Sequence, residues 1–134
     1  MIKYELRKGS IEISYKNRFE IAPGIAVDDI DEVIATFDTL EDAKKELEKY
    51  STYIRSLSGS AGSYYLVEEY FVEEIELDED EDFICSLGVH EYSKMEFELI
   101  EKPSYKTLAT FDNMRDAEEA YNNYDGDNEI YISF

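Results

Sequence analysis

The sequence has one cysteine, Cys85, one histidine, His90, no tryptophan and only two prolines. A single cysteine closes no internal disulfide, so the chain is expected to fold on its core alone in a reducing, cytoplasmic setting. One Cys and one His do not supply the closed set of soft ligands that a structural zinc takes. Residues 1–6 lack the apolar stretch of a secretory leader, and no apolar run approaches the ~18–20 residues of a membrane span. Basic residues are scarce as well, 13 Lys and Arg against 33 Asp and Glu, for a net charge of −20. A protein that tracks phosphates needs clustered cations to release counterions, so direct nucleic-acid binding is not expected. Anionic membrane surfaces are disfavoured on the same ground.

What is present points to a folded domain. Of the 134 residues 43% are hydrophobic, with 12 Tyr and 7 Phe, too apolar and aromatic for a disordered acidic tail. The length suits a single domain over residues 1–134, with halves of about 1–77 and 83–134 joined by the acidic segment 78–82. Either half alone is marginal in size, so one shared core is expected.

An internal repeat organises those halves. IATFDTLEDAKKELEKY at 34–50 aligns without gaps to LATFDNMRDAEEAYNNY at 108–124, sharing Ala35/Ala109, Thr36/Thr110, Phe37/Phe111, Asp38/Asp112, Asp42/Asp116, Ala43/Ala117 and Tyr50/Tyr124. In each copy a short β-branched and aromatic stretch, 33–37 or 107–111, reads as a strand. Asp38 and Asp112 then stand where a helix N-cap belongs, with Glu41 completing a capping box in the first copy. Leu40, Ala43, Leu47, Tyr50, Ile54 and Leu57 form one stripe at spacings of three and four, predicting a helix of about five turns. Met114, Ala117, Tyr121 and Tyr124 repeat that spacing over a shorter helix.

The small residues of 56–63 are expected to end the first helix. A long strand follows over 64–77, with a bulge or bend at Glu68-Glu69 where alternation slips. Residues 2–6 and 11–15 suggest a hairpin around Lys8-Gly9-Ser10, with 83–87 and 94–100 as the matching pair in the second half. Residues 125–128 form a turn before a last strand over 129–134. The fold class is therefore α+β: mostly antiparallel sheet with two amphipathic helices on one face, from a pseudo-duplicated strand-strand-strand-helix-strand unit.

No constellation in the chain carries an enzyme signature, and a non-catalytic protein without cofactor or metal is expected. Asp78, Asp80 and Asp82 have the opening spacing of an EF-hand loop, but the positions that need Gly and a bidentate Glu hold Phe83 and Val89. Cys85 and His90 lack a third residue to orient a nucleophile pair. Gly59-Ser60-Ala61-Gly62 follows a helical stretch instead of opening one and has no phosphate-binding Lys, so it reads as a connector.

The distribution of charge is more informative. Residues 1–20 carry five bases (Lys3, Arg7, Lys8, Lys16 and Arg18) and three acids, a net of +2, which leaves −22 on the rest. Residues 68–82 hold ten acids and no base. Extended at ~3.3 Å per residue, such a strand spaces carboxylates much as phosphates are spaced along a nucleic-acid strand. A solvated acidic face that keeps an aromatic-rich protein soluble is the plainer account of the same charges. Glu68, Glu69, Tyr70, Glu73, Glu74, Glu76, Asp78, Asp80 and Asp82 are the candidate partner-binding residues, with Tyr as the interface aromatic.

FDTLEDA together with LSGSAGSYYLVEEYFVEE, over about residues 34–74, resembles small proteins of bacterial mobile elements. In size and acidity the whole chain is similar to anti-CRISPR and other nucleic-acid-mimic proteins. That resemblance implies a partner with a Lys/Arg-rich nucleic-acid-binding groove, such as a CRISPR effector or other nuclease, which this protein would inhibit. An accessory interaction domain that binds a partner subunit or small ligand without mimicry is the alternative.

Overall fold

β-Branched and aromatic residues recur along most of the chain, and strands dominate the computed structural model, which describes residues 1–14, 20–21, 26–59 and 62–134. In order the elements are β1 (Ile2–Ser14), β2 (Glu20–Ile21), β3 (Ala26–Phe37), α1 (Leu40–Leu47), β4 (Tyr53–Gly59), β5 (Gly62–Leu77), β6 (Phe83–Tyr92), β7 (Phe97–Glu101), β8 (Lys106–Phe111), α2 (Met114–Asn122) and β9 (Ile130–Ser133). The fold is mixed α+β, with every strand pairing antiparallel.

Two sheets result. In the first, the order is β3-β1-β5-β4, and β6 joins β5 beyond the end of β4. β5 is thus central: β1 runs along one side from Ser14↔Tyr64 to Ile2↔Glu76, while β4 and then β6 share the other. The second sheet has the order β2-β9-β7-β8.

The core lies in two clusters. Leu6 and Val72, paired across β1 and β5, pack with Ala43 and Leu47 of α1. Ile11 and Val67, paired further along, pack with Met114 and Ala117 of α2 and with Phe97, Leu99, Ile130 and Ile132 of the second sheet. Val67 and Val72 are five residues apart on a strand whose register with β1 is unbroken, so they point to opposite faces. The expectation of both helices on one face therefore gives way: α1 covers one face of the first sheet, and α2 with the second sheet covers the other.

Other expectations are corrected locally. β1 is one continuous strand with no turn at Lys8-Gly9-Ser10, and the rest of that expected hairpin, at Tyr15, lies outside the described residues. α1 stops at Leu47, two turns along; Ile54 and Leu57 belong to β4, where Ile54 pairs with Val67 and packs against the α2 cluster. The signal against a longer helix is local, since Thr52, Tyr53 and Ile54 favour strand. Gly59 and Gly62 face each other across the β4–β5 hairpin, so this segment does not terminate a helix; Ser60 and Ala61 lie outside the described residues. β5 shows no register shift against β1 at Glu68-Glu69. Both helix caps fall one residue later than expected, at Thr39 and Asn113, whose side chains accept from the N–H of Asp42 and Asp116. No helix among the described residues is long and apolar enough to cross a membrane.

Candidate functional site

The acidic segment occupies β5 and the turn into β6, and its central position in the sheet decides what each carboxylate meets. Side chains alternate along a strand, so Glu69 and Glu73 point to the α2 side and Glu68, Glu74 and Glu76 to the α1 side. The basic strand β1 lies directly alongside. Lys8 Nζ is 3.9 Å from Glu68, and Arg7 Nε is 3.6 Å from Glu73. Glu5 and Glu73 stand opposite each other across the ladder, and Arg7 relieves that like-charge pair by also donating to Glu5 at 2.8 Å. Lys3 pairs with Asp38. Lys3, Arg7 and Lys8 are thus paired with nearby acids, while Lys16 and Arg18 lie outside the described residues.

β6 supplies the remaining partners of β5. Ser86 Oγ donates to Glu73 at 2.9 Å, His90 Nε2 lies 2.7 Å from Glu74, and the Cys85 thiol donates weakly to Glu76 at 3.7 Å. Cys85 and His90 therefore engage different glutamates. Among the described residues, no group of three or more His, Cys, Asp or Glu side chains could hold a metal ion.

Tyr70 falls where β4 gives way to β6 as the neighbour of β5. Ser93 fills the gap: its N–H donates to the Tyr70 carbonyl at 2.7 Å and its Oγ accepts from the Tyr70 N–H at 2.9 Å. Thr52 Oγ1 lies 2.7 Å from that same Ser93 hydroxyl. The Tyr70 ring stacks on Tyr50 at a centroid distance of 4.7 Å. Nothing in the local sequence around Ser93 or Thr52 signals a change of partner strand.

Glu69 is the outlier of the set. It is only 3% exposed, and its Oε1 accepts from the Met114 N–H at 2.6 Å, at the first turn of α2. Its Oε2 is buried without a hydrogen-bond partner. Burial pushes this carboxyl up to about 7, against the pull of the helix N–H groups and Arg115. Arg115 lies over the Phe71 ring at 4.2 Å and forks onto both oxygens of Asp31 at 3.0 and 3.3 Å. Gly9, in β1 beneath this group, makes room for it: a Cβ there would come within 3.2 Å of Asp31 Oδ1 and 3.5 Å of Arg115 Nη2. Burial also raises Tyr92, which Arg115 partly offsets. Glu69 lines neither the open cleft around Met95, Phe111 and Asp112 nor the one around Thr36, Leu77 and Phe83, so it is not presented to a small substrate there.

Asp78, Asp80 and Asp82 differ from the glutamates above them. They are exposed, in a turn that Asp78 organises: its Oδ1 accepts from the N–H of Asp80 and of Asp82, each at 2.9 Å, and its own N–H donates to the Asp82 carbonyl. Among the described residues no salt bridge reaches Asp78, Glu79, Asp80, Glu81 or Asp82. The nine candidates therefore do not share one surface. Glu69 is interior, Glu68, Tyr70, Glu73, Glu74 and Glu76 are half-buried and partnered, and the three aspartates face solvent. No protein-family model, curated protein or solved structure matches the chain.

Proposed function

We propose that this protein is a non-catalytic, cytoplasmic inhibitor that occupies a Lys/Arg-rich nucleic-acid-binding site of a partner protein, in the manner of an anti-CRISPR or other nucleic-acid mimic. The observation that carries the reading is the exposed turn at 78–82, a run of five carboxylates that close no salt bridge among the described residues, with Lys3 near Glu81 as a cation that already meets part of this charge. Asp78, Asp80 and Asp82 present the charge, with Glu74 and Glu76 extending it along β5. Glu68 and Glu73 contribute less because β1 already pairs them, and Glu69 supports the fold from inside. Binding of this kind is steered by charge and weakens steeply with salt. The two strand–cap–helix junctions, at 34–50 and 108–124, fit the same reading as copies of a duplicated unit.

The test is capture of partners from a bacterial lysate at low and at physiological salt, comparing the native chain with a Glu79→Lys/Asp80→Lys/Asp82→Lys variant. Captured proteins are expected to have basic nucleic-acid sites, to elute with salt and to be lost with the variant. Capture that survives charge reversal sinks the reading.

A further inference from the structure

Charge leaves the outer side of β6 unexplained. β6 pairs with β5 along one side, and among the described residues no strand pairs with the other. Its register against β5 shifts at Val72/Glu73, Glu74/Ile75 and Glu76/Leu77, and each shift leaves one extra residue on β6: His90, Leu87 and Ile84. Gly88 sits within this bulged run at φ +112°, a conformation suited to glycine. Successive bulges blunt a sheet edge against indiscriminate strand addition and re-aim the extra side chains. His90 is turned back onto Glu74, but Ile84 and Leu87 are 54% and 47% exposed, and neighbouring Phe83 is 64% exposed. Met1 and Ile2, also exposed, reach the same end of β5 from β1, where Ile2 and Cys85 flank Glu76 from opposite sides. A concentration of large apolar side chains beside a charged segment is a feature of interaction surfaces.

We infer that Phe83, Ile84 and Leu87 form a docking strip for a polypeptide segment whose apolar anchors are flanked by Lys or Arg. Charge complementarity selects this occupant: the strip begins directly after the five exposed acids of 78–82, so cations beside the anchors would meet them. A second copy of this chain, itself at −20, is repelled from the same place. The inference rests on the proposed basic partner and divides the labour of binding, with the acidic turn steering and the apolar strip anchoring.

The experiment is an NMR titration of the full chain with two synthetic peptides of about 12 residues, one alternating Leu and Lys and one of Lys alone. The alternating peptide is expected to bind at least about tenfold more tightly and to shift amides of residues 83–89. An Ile84→Ser/Leu87→Ser variant with an otherwise native spectrum should erase that difference and leave the Lys peptide unaffected. The strip is refuted if the alternating peptide binds this variant as well as the native chain, or shifts a different surface. It is equally refuted if the native chain self-associates through residues 83–87 in sedimentation at about 0.5 M NaCl, where repulsion is screened. Binding of the Lys peptide with no role for the strip overturns the docking inference alone, whereas failure of both peptides overturns the basic-partner reading with it.

Discussion

Glu69 holds a carboxylate between the first sheet and the opening turn of α2 with only one oxygen hydrogen-bonded. Its folded-state value of about 7 lies above the ordinary 4.5, so the native state holds the proton more tightly than the unfolded chain. The resulting stabilisation is fully present below pH 4.5 and is lost as pH rises through 7, amounting to about 3 kcal/mol across that window. Glu69→Gln keeps an acceptor for the Met114 N–H and removes the titration. Urea unfolding at pH 5, 6, 7 and 8 should show a smaller loss of stability with pH for this variant than for the native chain; parallel curves would contradict the account. At Gly9, a valine would press its branched Cβ on Asp31 and Arg115, and Gly9→Val should cost about 1–3 kcal/mol by the same measurement.

At the scale of elements, the two helices begin by the same device. Thr39 and Asn113 are the caps, each accepting from the N–H three residues on, and Asn113 is also buried and donates to Asp112 and Asp116. Thr39→Ala should cost about 1 kcal/mol and Asn113→Ala somewhat more, because a buried network is opened. Urea unfolding of the three variants should also show Asp112→Ala costing less than Asn113→Ala. The helix starts were legible in the sequence to within one residue, since the Asp-Thr and Asp-Asn pairs each offer two capping side chains in succession. The end of α1 was not, because Ile54 and Leu57 continue the helical spacing by coincidence while pairing with Val67 and Tyr64 in a strand.

Across the whole molecule, the acids outnumber the bases by 20, and because each ion pair takes one base with one acid, that excess stays unneutralised however the bases are placed. Self-repulsion among exposed carboxylates is longer-ranged than the β1–β5 pairs and is screened first. Unfolding midpoints in urea should therefore rise when NaCl is raised from about 0.02 to 0.5 M; a fall would mean that the paired charges dominate stability.

The α+β class, the predominance of strands, both helix starts to within one residue and the division of charge between a basic first segment and an acidic middle one were legible in the chain alone. Each of these is written in local periodicity, capping chemistry or composition. The position of β5 between β1 and the pair β4 and β6 comes from the assembled fold, which brings Lys8 and Arg7 to Glu68 and Glu73, buries Glu69 beneath α2 and leaves the exposed charge at 78–82 beside a bulged apolar edge. These placements depend on the pairing of β1 with residues about sixty positions away. Strand periodicity gives two faces but names neither the neighbouring strand nor the helix that covers each one.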